Sequence, residues 1–296
     1  MFQLLNGVLV VGAISCLAQL GIPDLVEQGP KSAEELATEI GADPRALYRL
    51  MRATACVGVL SEGADGKFSE TPLSAVLRSN ANPSLRAFAM MHGRDWHGLG
   101  WANLDYCVRT GKQALEKIYG THIFQFFEQH PEEGHLFQQS MSDSSMIDGP
   151  AVAEAYSFGE IHSIVDVAGG HGLLLATILG RNPHMKGTLY DMPYVVAGAK
   201  DGPLKPVIDR CTLASGDMFS SVPVGADAYI MKHIIHDWPD DLRIKILKAI
   251  ESLPKGRESR RQAAGGGQRD PAGQRFRAGE IPRPSDAHFP WGTRAH

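Results

Sequence analysis

The run Ile164-Val165-Asp166-Val167-Ala168-Gly169-Gly170-His171-Gly172, followed by an apolar helical pattern over residues 173–179, constrains this chain more than any other stretch. Apolar β-formers ending in a cluster of small residues read as a strand that turns sharply into a helix. Glycine lets the backbone leave the strand abruptly and approach a ligand closely. The helix that follows offers free N–H groups at its start. A nucleotide-type cofactor is the natural occupant of such a turn, although glycine-rich strand–helix turns occur in many α/β proteins.

From about residue 161 onward, short apolar runs ending in Asp or Gly alternate with helical stretches. This is the pattern of a doubly wound, Rossmann-like parallel sheet. Strands are expected at 164–168, 187–190, 211–214 and 226–231, and a helix from about Pro239. Asp240 and Asp241 in its first turn and Lys248 near its end match the helix dipole.

Residues 1 to about 150 read as helical instead. Ser32 and Glu35 form a capping box for a helix ending at Gly41. Pro44 opens a second helix with Leu47, Leu50 and Met51 on one face. Residues 57–60, a Gly-Ala-Asp-Gly turn and Lys67-Phe68 read as a hairpin. Helix, turn, helix and hairpin make a winged-helix pattern. A DNA reader would want a basic second helix. This one carries only Arg45, Arg49 and Arg52, and the helix before it is acidic through Glu34, Glu35 and Glu39. A structural or dimerising role is favoured.

At 296 residues the chain has room for two domains. Its net charge of -4 gives no general attraction to nucleic acid or to an anionic membrane. Cys16, Cys56, Cys107 and Cys211 stand far apart with no CxxC pair, so no metal site is expected. The apolar segment 4–22 lacks a positive region ahead of it and contains Asn6, Ser15, Gln19 and three glycines. It is read as a buried helix packed against another subunit, rather than an export signal or a membrane span. A cytoplasmic homodimer is expected.

Three further places carry chemistry. Asp191 ends the second strand of the sheet, 22 residues after Gly169, where an acid can accept hydrogen bonds from ribose hydroxyls. Gly216-Asp217-Met218-Phe219 follows the third strand. Its carboxylate can accept from an adenine amine while Met218 and Phe219 cover the ring. Lys232-His233-Ile234-Ile235-His236-Asp237-Trp238 follows the fourth strand, at the edge where ligands collect in open α/β sheets. A histidine there can take a proton from a hydroxyl. An NAD fingerprint would want a third glycine at position 175, and Leu175 stands there.

These four motifs, in this order and spacing, resemble the caffeic acid and hydroxyneurosporene type of S-adenosylmethionine-dependent O-methyltransferase. The resemblance covers residues 1 to about 255, including Val108-Arg109-Thr110-Gly111 and Tyr119-Gly120. It implies a winged-helix dimerisation domain over 1–90, a helical acceptor-pocket region over 91–155 and a cofactor-binding α/β domain over 156–255. It implies that Gly169 contacts the methionine part of S-adenosylmethionine and that Asp191 binds the ribose. Gly216, Asp217 and Met218 would hold the adenine. Lys232 would lie along the cofactor, and His236 would be the general base for a small hydroxylated, aromatic acceptor. The family has three consecutive glycines in its first motif, and Ala168 replaces the first. Two other functions stay open at this point: an NAD-dependent oxidoreductase, and a winged-helix regulator whose α/β domain senses a ligand.

After Lys255 the composition changes abruptly. Residues 256–296 hold eight Arg and no Lys, with seven Gly and four Pro. No strand pattern is read there, although the sheet needs two more strands and the family places acids there that support the base. An Arg/Gly-rich disordered tail is one explanation. A shifted reading frame near codon 256 is the other. Read one nucleotide forward with permitted codons, residues 280–296 yield KFLDLQMLIFPGGHERT, close to the family's DLxML…GGxERT. On that basis His236 is expected to lack a partner in this chain.

Overall fold

The computed structural model describes residues 1–200, 202–251 and 264–265. A helical N-terminal region carrying one small hairpin is followed by a five-stranded parallel sheet with flanking helices. Apart from residues 264–265, the aberrant composition of 256–296 lies outside the described residues.

The expected caps form. Ser32 Oγ accepts from the Glu35 amide at 3.2 Å, and the Glu35 carboxylate accepts from the Ser32 amide at 2.7 Å. The helix Ala33–Ile40 then stops at Gly41, whose φ is +70°. Asp43 caps the helix Pro44–Ala55 by accepting from the Ala46 amide at 2.7 Å. Leu47, Met51 and Thr54 on that helix are buried, while Leu50 is half-buried. The hairpin lies further along than expected: β1 is Leu60–Glu62 and β2 is Phe68–Glu70, with Ser61 opposite Ser69. Residues 57–59 are used to end the preceding helix. The Gly58 amide donates to the Ala55 carbonyl, and the Val59 amide to that of Thr54.

The apolar N-terminal segment is not one buried helix. It breaks into Phe2–Leu5, Gly7–Gln19 and Ile22–Glu27. Leu17, Ala18 and Ile22 are covered, but Phe2, Leu4, Leu5, Val8 and Leu9 are between 67% and 83% exposed in the single chain. No helix among the described residues is long and apolar enough to cross a membrane.

The sheet comprises β3 (Ser163–Val167), β4 (Lys186–Asp191), β5 (Cys211–Ser215), β6 (Ala228–Met231) and β7 (Ala264–Gly265). Their order is β5-β4-β3-β6-β7, all parallel. The first four lie within two residues of their expected starts and ends. β7 departs from the sequence reading: Ala264 pairs with Ile230 in a stretch where no strand was expected. β3 is central and buried on both faces, which explains the apolar Ile164, Val165 and Val167 around its buried acid, Asp166. Ile164 packs with Leu174, Leu175, Ile178 and Leu189, while Val165 and Val167 pack with Tyr190, Met231 and Ile246. The Asp227 carboxylate accepts from the His162 and Ser163 amides at 2.9 Å each, fixing β6 against β3. The chain direction across the sheet reverses at β3, so a crevice opens at its carboxyl end.

One helix joins the two regions. Pro131–Ala155 is about 37 Å long at ~1.5 Å per residue. It packs on Arg86–His92 and Ile123–Gln129 on one side and on Leu173–Arg181 of the sheet layer on the other. From its middle, buried Asp143 accepts from the Ala87 and Phe88 amides at 2.9 and 3.4 Å. It thereby satisfies donors that the first turn of Arg86–His92 leaves free.

Ala168 takes φ +57°, a conformation that costs a residue with a Cβ about 1–2 kcal/mol. Glycine would remove that cost but would lose about 0.4–1 kcal/mol through a more flexible unfolded chain. Ala168→Gly is therefore expected to stabilise the protein by about 0.5–1 kcal/mol, read as a higher midpoint in urea unfolding at unchanged slope.

Candidate active site

A cavity of about 910 Å³ opens at the carboxyl ends of β3, β4, β5 and β6. All the residues singled out in the sequence line it: Gly169, Asp191, Gly216, Asp217, Met218, Lys232 and His236.

The turn after β3 forms its floor. A Cβ built on Gly169 would stand 2.6 Å from both Asp166 Oδ2 and Leu189 Cδ1, so only glycine fits. The Gly170 amide donates to Asp191 Oδ2 at 2.8 Å, and the Met192 amide to Oδ1 at 2.7 Å. Asp191 is thus fixed at the end of β4 by the very turn it faces. Burial raises its pKa, and these two amides pull it back down. At the end of β5, Asp217 accepts from the Phe219 amide at 2.9 Å and the Ser220 hydroxyl at 2.8 Å. A carboxylate has about four acceptor sites, so Asp217 keeps capacity for a ligand amine.

At the end of β6, Lys232 Nζ donates to both oxygens of Asp148, at 2.9 and 3.2 Å. Asp148 lies on the long helix, so this pair ties the sheet to the helical region. His233 has φ +59° and places Nε2 3.4 Å from Asp148 Oδ2. His236 is exposed on the cavity rim, with Nε2 3.1 Å from Asp237 Oδ1. Asp237 is thus within ion-pair distance of the His236 ring, which the sequence reading did not anticipate. Burial raises the Asp237 pKa, and the neighbouring His236 opposes that rise.

The opposite wall was not foreseen. Gln138, Met141, Ser142 and Ser145 project from the long helix into the cavity. Ser142 Oγ lies 3.4 Å from His171 Nδ1, bridging the wall to the glycine turn. An aromatic group closes one end: Trp238 stacks on His122 at 4.9 Å and on Phe124 at 5.6 Å, and Phe219 meets it edge-on at 4.6 Å. Phe124 in turn contacts Phe137 at 6.0 Å. Burial lowers the His122 pKa, which favours its neutral ring in this stack. Only the long apolar-aromatic run Ile123-Phe124-Gln125-Phe126-Phe127 hinted at this wall.

Leu175, at the position of the third glycine of a dinucleotide fingerprint, is fully buried in the helix–sheet core. The comparisons with known proteins point the same way. The chain matches the O-methyltransferase domain over residues 101–257 and the O-methyltransferase dimerisation domain over residues 2–80. It is 38% identical to the phenazine O-methyltransferase PhzM of Lysobacter antibioticus over 249 residues, 84% of this chain and 73% of that protein. The crystal structure of LaPhzM superposes with a TM-score of 0.81 at 35% identity, covering 87% of this chain and 82% of that one. Human N-acetylserotonin methyltransferase in complex with SAM superposes with a TM-score of 0.77 at 25% identity, covering 84% and 75%. Neither the dehydrogenase nor the regulator is favoured by these relationships. A cofactor crevice at the reversal point of a parallel sheet, preceded by a dimerisation domain, places this chain in the S-adenosylmethionine-dependent O-methyltransferase family, and it is an enzyme of that family.

Proposed function

We propose that the enzyme transfers the methyl group of S-adenosylmethionine to a hydroxyl of a small aromatic acceptor, with His236 as general base. The observation that carries this reading is the convergence of all four motifs and the aromatic group around Trp238 on one cavity. Its floor is a turn packed so closely on Asp166 and Leu189 that no Cβ fits at Gly169. Its carboxylates suit the hydroxyls and amines of a nucleoside. The aromatic end suits a flat acceptor, and the relative PhzM is by its name a phenazine O-methyltransferase.

The cofactor supplies an already activated methyl electrophile. The chain's own task is alignment and proton removal. Gly169 would contact the methionine part, and Asp191 would accept from the ribose. Gly216, Asp217 and Met218 would hold the adenine, Asp217 by accepting from its amine. Lys232, held by Asp148, would contact the cofactor. His236, with Nε2 3.1 Å from Asp237 Oδ1, would take the acceptor's proton, and Asp237 would stabilise the imidazolium that forms. We divide the chain into a dimerisation domain over 1–90, an acceptor-pocket region over 91–155 and the cofactor domain over 156–255. The exposed residues Phe2, Leu4, Leu5, Val8 and Leu9 would be covered by a second copy of the chain.

Three measurements test this. Asp191→Ala is expected to weaken S-adenosylmethionine binding by about 1–3 kcal/mol in calorimetry, because two backbone amides lose their acceptor along with the ribose. An unchanged affinity would remove Asp191 from the site. His236→Ala is expected to slow methylation of a panel of phenols by roughly 10²–10⁴ while cofactor affinity stays constant. A rate within a few-fold of the parent would rule His236 out as the base. Light scattering at micromolar concentration is expected to give the mass of a dimer, and Leu5→Glu combined with Leu9→Glu to give a monomer.

A further inference from the structure

His236 is loosely held by its own neighbour. Its side chain is 63% exposed, and Asp237 meets it at Nε2. In an imidazole, Nε2 lies almost opposite the bond that joins the ring to Cβ. A contact there fixes where the ring ends but leaves its plane free to turn about that bond. A base must aim a lone pair at the proton it takes, and the lone pair of imidazole lies in the ring plane. A second contact, against the flat of the ring, is needed to set that plane.

Among the described residues, His233 makes such a contact. It lines the same cavity, and its ring centroid lies 5.4 Å from that of His236 with 28° between the planes. That separation falls within the range of offset aromatic stacking. His233 is itself held at both ends. Its backbone, two residues beyond β6, takes φ +59°. This left-handed conformation is costly for a residue with a Cβ and persists where the surroundings impose it. Its Nε2 lies 3.4 Å from Asp148 Oδ2. Asp148 is fixed in turn by Lys232, whose side chain is 10% exposed and reaches both carboxylate oxygens. Burial raises the Asp237 pKa, and His236 and His233 both oppose that rise, so both rings stand beside the same carboxyl.

Resting on the reading of His236 as general base, we propose that His233 is the positioning residue for that base. Its ring, pinned to the long helix through Asp148, sets the plane of the His236 imidazole. The Lys232–Asp148 pair thereby gains a second use. It carries the position of the helix Pro131–Ala155, which bears the opposite wall of the cavity, across to the base. The two sides of the cavity are then placed relative to one another by one chain of side-chain contacts.

A double-mutant cycle on the full chain tests this. His233→Asn removes the ring and keeps a residue that tolerates the left-handed backbone. It is expected to lower kcat with a phenolic acceptor roughly tenfold, less than the ~10²-fold that a 1 Å misplacement can cost. S-adenosylmethionine affinity in calorimetry and the melting temperature should stay at the parent's values. His233→Phe keeps a flat ring without the tie to Asp148, and its kcat should fall between those of the parent and His233→Asn. With His236→Ala already in place, His233→Asn should cost nothing further, because it acts through the base alone. A spectroscopic measurement is independent of turnover. The carbon-bound ring protons of His236, identified by their absence from the spectrum of His236→Ala, should move downfield in His233→Asn, where no ring face shields them. Unchanged resonances, an equal loss in both backgrounds, or a His233→Phe no faster than His233→Asn would overturn the proposal. So would weakened cofactor binding and a lowered melting temperature in both His233 variants, which would mark the residue as structural. A slow His236→Ala beside a His233→Asn of parental rate would sink this proposal alone. A His236→Ala of parental rate would remove the base itself.

Discussion

The carboxyl end of β3 has no room for a side chain, and the rest of the molecule is arranged around that restriction. Asp166 and Leu189 together close the space where a Cβ at residue 169 would stand. The chain leaves the strand through Ala168 at φ +57° and returns as the helix Leu173–Arg181 directly over the sheet. Because that helix covers one face of β3 so closely, the strand is buried on both sides and must be apolar throughout, except at Asp166. The exception marks the point where the strand stops serving the core and starts serving the cavity. Strain in the backbone and an unsatisfied polar group stand within two residues of each other there, a pairing that folding alone does not favour.

The cavity is only half a product of the sheet. Its other wall comes from the helix Pro131–Ala155, which the sheet does not itself hold in place. Two carboxylates on that helix do this from opposite directions. Asp143 binds back into the N-terminal region by accepting from the start of Arg86–His92, and Asp148 binds forward to Lys232. The spacing between them is five residues, so they point in different directions around the helix. The aromatic contacts of Trp238 with His122 and Phe124 add a third tie across the same boundary. The aromatic end of the cavity is therefore built at the junction of the two regions. A change in how they pack would reshape that end without touching the glycine turn.

Much of this was legible in sequence, and the pattern of success has a physical cause. Short runs centred on apolar residues marked β3, β4, β5 and β6, and their ends coincide with the acids and glycines that line the cavity. Caps such as Ser32 and Asp43 are local signals and formed as expected. The hairpin slipped because Gly58 and Val59 close the preceding helix before any strand can begin. Asp143, Asp148 and Ser142 were invisible because their partners lie 29 to 84 residues away. A polar residue in a helix carries no sign of a distant partner. His236 has Asp237, one residue along, within ion-pair distance.

The exposed N-terminus shows the limit of reading one chain alone. Burying a large apolar side chain is worth about 1.5–3 kcal/mol, so covering Phe2, Leu4, Leu5, Val8 and Leu9 on each of two chains would supply on the order of 20 kcal/mol. Joining two molecules costs an estimated ~4–15 kcal/mol. Covering the segment by itself would therefore be enough to offset the cost of association. Trp101, Leu104 and Val108 are further apolar side chains left 67%, 48% and 78% exposed, on the helices Asp95–Ala102 and Leu104–Thr110. Trp96, on the first of those helices, meets the Phe137 ring at 6.5 Å. Covering that helix in a dimer would thus restrain a neighbour of the cavity's aromatic end, which links assembly to the shape of the cavity.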